Sequence, residues 1–133
     1  DTVSDVTVSF DMPARLSTAH ALVEETNNQA ALERGPLVYC IESPDADVET
    51  LDDLLWKLDA EFTPVAYTIG GRDLAALEGD VYRINREEYN RDSLYQTLRY
   101  HGMSTTHIRL IPYFAWDNRG FGEMKIWMPV AYK

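Results

Sequence analysis

A chain of 133 residues has the length of one domain, and folding buries roughly two-thirds of the surface such a chain exposes when unfolded, enough for a core without staples. Its 45% hydrophobic and 26% charged residues are those of a globular fold, and 22 acidic against 12 basic residues make a negative field that repels nucleic-acid phosphates and anionic lipid headgroups. The single cysteine, Cys40, excludes an intramolecular disulfide and a multi-sulfur zinc site, and no run approaches the roughly 18 apolar residues needed to span a bilayer.

Neither nucleic acid nor membrane is expected as a partner, while a neutral polysaccharide remains compatible with the charge. The N-terminus, Asp1-Thr2-Val3, lacks a basic region followed by an apolar stretch, so any export signal is expected outside the chain and the compartment stays open.

Val6 to Met12 alternates, with Val6, Val8, Phe10 and Met12 on one face, and predicts a half-buried strand closed by Pro13. The polar stretch to Asn28 reads as a connection with one short strand at most, and Asn27-Asn28 as a turn. After Arg34-Gly35-Pro36, the run Leu37 to Glu42 is apolar on both faces, as in a strand covered on both sides. Ser43-Pro44-Asp45 stops it, and the carboxylates crowded between Asp45 and Asp53 predict a solvated loop. Thr50 and Asp53 resemble a capping box, which places one or two helical turns over Leu51 to Leu58.

Val65, Tyr67 and Ile69 alternate before Gly70-Gly71, and Val81 to Ile84 follows Gly79-Asp80, read as a further turn. Leu94 to Tyr100, His107 to Ile111 and Lys125 to Tyr132 are the remaining predicted strands. Short strands between turns about ten residues apart predict an all-β fold, an antiparallel β-sandwich of jelly-roll type with at most one short helical turn.

Ala31 to Glu42, which contains Arg34-Gly35-Pro36, and Leu110 to Trp127, which contains Pro112-Tyr113-Phe114-Ala115-Trp116-Asp117-Asn118-Arg119-Gly120, resemble the C-terminal signatures of glycoside hydrolase family 127, the β-L-arabinofuranosidases. Asp11-Met12-Pro13-Ala14-Arg15 is similar to a strand preceding them, whereas Asp45 to Gly102 matches loosely. The resemblance implies a multi-domain enzyme in which an α/α barrel, with a zinc-held cysteine and a glutamate acid/base, carries catalysis and β-sandwich domains follow. No stretch here matches the catalytic motif, so no catalytic residue carries over. Residues 1–133 are then one accessory sandwich with a core over about 18–127, its first and last strands belonging to an adjoining sandwich.

Cys40 sits in an apolar strand, where a thiol acts as a small hydrophobe. His20, His101 and His107 show no ligand spacing on a common element, so neither a metal nor a cofactor is expected. The pairs Glu24-Glu25, Asp52-Asp53 and Glu87-Glu88 are adjacent on extended chain and point to opposite faces, unlike the paired carboxyls of a glycosidase. Tyr113, Phe114, Trp116 and Trp127 read first as core, since buried aromatics fill a sandwich and exposed ones stack on sugars. Asn118 and Gly120 are the turn residues expected to take positive φ, and Arg34 either faces a domain interface, caps a carbonyl or pairs with Asp117.

The expectation is a non-catalytic accessory or scaffolding domain of a hydrolase of L-arabinofuranosides, not an enzyme on its own, with the catalytic barrel and a neighbouring sandwich of the same polypeptide as partners. The alternative is a carbohydrate-binding module that holds an arabinose-containing plant-type glycan through Trp116, Tyr113 or Trp56.

Overall fold

In the computed structural model, residues 12–85, 93–97 and 102–132 are described. The expected strand from Val6 falls outside them except for Met12. Of the expected strand Leu94 to Tyr100, residues 94–97 are irregular and the rest lie outside, and Leu94 and Tyr95 are 96% and 89% exposed.

The strands are β1 Ala14–Ser17, β2 Gln29–Arg34, β3 Leu37–Glu42, β4 Leu54–Lys57, β5 Phe62–Ile69, β6 Arg72–Ile84, β7 Met103–Pro112, β8 Met124–Lys125 and β9 Met128–Ala131. All-β is therefore the architecture, but the pairing corrects the sandwich. β2, β9, β4, β6, β7 and β3 pair in that order, and β3 returns to β2, so six strands close a barrel. Strands β1, β5 and β8 attach to its rim through β2, β6 and β3. Pairing is antiparallel except for β4 with β9, which is parallel. Local alternation is the same in a sandwich and in a barrel, so only the pairings between distant segments distinguish them.

The β2–β3 hairpin accounts for Arg34-Gly35-Pro36. Arg34 pairs with Leu37, leaving a two-residue turn in which Gly35 has φ 58°. Proline cannot take positive φ, which rules out a type I′ turn and leaves type II′, where glycine comes first. Arg34 caps a carbonyl: its Nε donates to Met12 O at 3.1 Å.

β3 has the bounds expected of it, and both its faces are covered. Tyr39 and Ile41 point into the main core with Leu32, Leu54, Trp56, Leu77, Val81, Leu110 and Met128. Cys40, on the opposite face, joins Ile69, Ala76, Ile111 and Ala115 in a second cluster. Residues 76 and 77 and residues 110 and 111 divide between the clusters in the same way, as the period of a strand requires.

Within single elements one expectation holds only in part and another fails. Leu51 to Leu58 is one 3₁₀ turn, Leu51–Asp53, followed by β4; Thr50 does cap it, its hydroxyl oxygen accepting from Asp52 N–H at 3.2 Å. Leu54 and Trp56 are buried and alternate with Leu55 and Lys57, a period of two that ends the helix. Among the described residues three further 3₁₀ turns, Glu24–Thr26, Ser43–Asp45 and Tyr113–Ala115, exceed the single one expected. Gly79-Asp80 is not a turn either, because β6 runs straight through it. A Cβ on Gly79 would lie 2.6 Å from Glu61 O and from the Phe62 ring, so this glycine admits Phe62, whose ring meets Trp56 edge-on at 5.6 Å.

Candidate functional site

The strongest concentration of polar chemistry lies under the loop that leaves β7. After Pro112 the chain makes the 3₁₀ turn Tyr113–Ala115, and Asp117 then takes φ 66°. Asp117 and Gly120, rather than Asn118 and Gly120, are the positive-φ residues. Asp117 can hold that conformation because its N–H donates to Glu42 Oε2 at 3.2 Å, while Asn118 Nδ2 donates to Ala115 O at 3.0 Å.

Arg119 then turns inward. Its Nη1 and Nη2 donate to the two oxygens of Asp45 at 2.8 and 2.6 Å, and Nη2 also donates to Glu42 Oε1 at 2.9 Å. The Asp45 side chain is 1% exposed and that of Glu42 7%; of the solvated loop expected over Asp45 to Asp53, Asp47, Glu49 and Asp52 are exposed, whereas Asp45 and Asp53 turn inward. The Asp45 hydrogen bonds, followed by those of Glu42, raise the Arg119 pKa above its ordinary value despite burial. Tyr67 completes the nest: its OH accepts from Arg119 Nη1 at 3.3 Å, and the Arg109 guanidinium carbon sits 4.2 Å from its ring centroid. Arg109 Nε donates to Glu78 Oε1 at 3.1 Å, and chiefly for that reason the Glu78 carboxyl titrates below its usual range. His107 Nδ1 lies 2.9 Å from Asp80 Oδ1, a contact that raises the imidazole pKa.

The far end of the loop is tied as well. The Glu123 carboxylate accepts from Thr50 Oγ1 at 2.8 Å and from Leu51 N–H at 3.1 Å, and its own N–H donates to Ser43 Oγ at 2.8 Å. The carboxylates of this region therefore serve as anchors. Asp52 and Asp53 lie in the 3₁₀ turn Leu51–Asp53 rather than on extended chain, Asp52 exposed and Asp53 buried.

This arrangement has the chemistry of a brace. Glu42 and Asp45 are both engaged by a guanidinium, so neither is free to shuttle a proton. Cys40 is fully buried and its thiol is pushed up to about 12, first by burial and then by Glu42, leaving almost no thiolate at neutral pH. Among the described residues no cluster of three or more His, Cys, Asp or Glu is placed to hold a metal ion.

The three candidate sugar-contacting residues do not converge. Trp56 is fully buried, with Nε1 donating to Ala30 O at 2.7 Å, and offers no face to a ligand. Tyr113 and Trp116 are together on the braced loop, 45% and 39% exposed, with ring centroids 6.3 Å apart and planes within 16°. With Phe114 and Phe121, at 55% and 109% exposure, they are surface rather than core aromatics; Trp127 is half-buried. Sequence reasoning placed Asp117-Asn118-Arg119-Gly120 in a turn but missed the inward path of Arg119, whose carboxylate partners lie more than 70 positions away.

The model of the glycoside hydrolase family 127 C-terminal domain matches residues 14–129. The chain belongs to this family. The family 127 domain is 29% identical over 126 residues to the non-reducing end β-L-arabinofuranosidase of Bifidobacterium longum subsp. longum, covering 92% of this chain and 19% of that protein. It superposes on the crystal structure of a family 127 β-L-arabinofuranosidase from Geobacillus stearothermophilus T6 with a TM-score of 0.81 at 31% identity, over 92% of this chain and 19% of that one. A structure described as a glycoside hydrolase matches with the same TM-score at 45% identity, over 91% of this chain and 20% of that one. The domain thus spans about a fifth of the length of the relatives it matches.

Proposed function

We propose that residues 1–133 form one non-catalytic accessory domain of a hydrolase acting on L-arabinofuranosides, and that it scaffolds the catalytic α/α barrel and a neighbouring sandwich of the same polypeptide. The observation that carries this reading is the loop from Tyr113 to Phe121. It presents four exposed aromatic rings to solvent, while its base is locked by Arg119, Glu42 and Asp45. A rigid, exposed apolar projection is the kind of surface one protein body offers another. The likeness in length, fold and sequence to part of known arabinofuranosidases supplies the partner.

The test uses a full-length family enzyme carrying this domain. Replacing the exposed Phe114 and Phe121 by Asp is expected to lower the thermal midpoint of the catalytic part and its soluble yield. An unchanged midpoint and yield would sink the scaffold reading.

The stacked pair Tyr113 and Trp116 supports a second reading, a carbohydrate-binding module for arabinose-containing glycans. Their planes are near parallel but only these two of the three expected sugar-contacting residues are exposed, Trp56 being fully buried, which ranks this reading second to docking. Calorimetry with arabino-oligosaccharides separates the two: saturable heat abolished by Trp116→Ala supports the module, and a flat trace refutes it.

A further inference from the structure

On the side of the 3₁₀ turn Tyr113–Ala115 that faces the β5–β6 hairpin lies a groove of about 310 Å³, near the lower limit for small-ligand pockets. Buried Ile69 and Ala115 line it together with Leu74, and Phe114, Arg72 and Asn118 supply its chemistry. Ile69 pairs with Arg72 across a two-residue turn, Gly70-Gly71, with φ of 57° and 76°, the signature of type I′. A Cβ at either glycine would meet nothing within 4 Å, so the turn stands clear of other atoms and leaves its backbone open to approach.

The polar groups of this groove are complementary to one another and to a particular kind of ligand. The Arg72 side chain is exposed and makes no hydrogen bond or ion pair among the described residues, in a chain where acidic residues outnumber basic ones by 22 to 12. Arg15, Arg109 and Arg119 by contrast are all ion-paired. Asn118 has spent its amide N–H groups on Ala115 O and Trp116 O, which leaves its Oδ1 to accept. Phe114 adds a half-exposed ring. A ligand satisfying all three needs an acceptor for a guanidinium fork, a hydroxyl to donate to Oδ1, and an apolar face to lie on a phenyl ring.

We infer that this groove is a subsite for a uronic acid residue, a pyranose whose carboxylate pairs with Arg72, whose ring hydroxyl donates to Asn118 and whose C–H face packs on Phe114. A neutral sugar gives the guanidinium only hydroxyls. A dianionic phosphate lacks the apolar face and meets the negative field of the chain undiluted. The inference goes beyond both readings of function: it uses neither Tyr113 nor Trp116 of the sugar-binding reading, and it shares Phe114 with the docking surface.

The experiment titrates the ¹⁵N-labelled chain with D-glucuronate, D-glucose or acetate and follows backbone amide shifts. Glucuronate is expected to move Gly70, Gly71 and Asn118 saturably, with glucose weaker by up to about fivefold, as one exposed charged contact allows. Arg72→Gln, on an exposed turn, is expected to erase that preference while leaving the rest of the spectrum in place, and Trp116→Ala is expected to leave it intact. Three results would overturn the proposal: no shifts at these residues, equal affinity for glucose, or acetate binding as well as the sugar acid. A preference that survives Arg72→Gln would do the same.

Discussion

Glu42 and Asp45 are buried within hydrogen-bond reach of one guanidinium, so the stability of the loop above them turns on a single side chain. Arg119→Met removes the guanidinium that both carboxylates share, leaving Glu42 the Asp117 N–H and Asp45 the longer contact to Arg109 at 3.8 Å, and breaking a buried pair from one side is expected to destabilise by about 3–5 kcal/mol, read as a lowered urea midpoint. Adding Asp45→Asn and Glu42→Gln to Arg119→Met is expected to recover part of that loss, because neutral amides remove the uncompensated charge. Cys40 makes the opposite kind of prediction. With its thiol near 12 inside a fully buried strand, it is expected to stay unreactive towards a thiol-specific disulfide reagent at about pH 8 and to react at once in denaturant. Fast reaction of the native chain would place β3 at an open surface. Of these residues the sequence announced Cys40, because apolar neighbours on both sides of a strand imply burial. It could not announce Asp45, whose burial depends on Arg119 74 positions away and which, read locally, is one acid among many.

Elements were legible where a local pattern carried the information. β3 was readable to the residue, and the end of β5 and its turn were visible in alternation followed by Gly70-Gly71, whereas β6, which starts at Arg72, was expected only from Val81. Gly79 shows where such reading fails: glycine signals a turn and a close approach equally well, and only the position of Phe62 on the adjacent strand decides between them. The distinction has a measurable sign. At a backbone position that tolerates alanine, Gly→Ala stabilises by about 0.4–1 kcal/mol through the unfolded chain. Gly79 does not have positive φ, so backbone strain does not enter, but its Cβ would overlap Glu61 O and the Phe62 ring. Gly79→Ala is therefore expected to destabilise by about 1–3 kcal/mol, the range for overpacking, and to disturb the Trp56 fluorescence that reports the Phe62 contact. A neutral or stabilising outcome would mean that β5 moves aside freely. Of the one or two helical turns expected over Leu51 to Leu58 only the first formed, for a related reason: Thr50 signals where a turn begins but not how long it lasts, and the burial of Leu54 and Trp56 ended it after one turn.

At the scale of the molecule, closure of the ring is the property no local pattern contains, and it rests on β9. This four-residue strand stands between β2 and β4, pairing Ala30 with Met128 and Trp56 with Val130, and Val130 N–H donates to Asn28 O at 3.1 Å. Met128 is 1% exposed in the same cluster as Trp56. A tail lent to a neighbouring module would be dispensable to the barrel, whereas a tail that closes the barrel is not, and truncation after Trp127 distinguishes the two. Removing β9 opens two strand edges, takes Met128 from the core and exposes the Trp56 side of β4 to water. The loss of one buried Met alone is worth about 2–5 kcal/mol, a large part of the stability of a domain this size. The truncated chain is expected to lose its cooperative thermal transition and to aggregate through the opened edges, because an unpaired strand edge templates further pairing. If it instead melted cooperatively with an unchanged midpoint, β9 would belong to the neighbouring module and the six-stranded ring would not be the unit that folds.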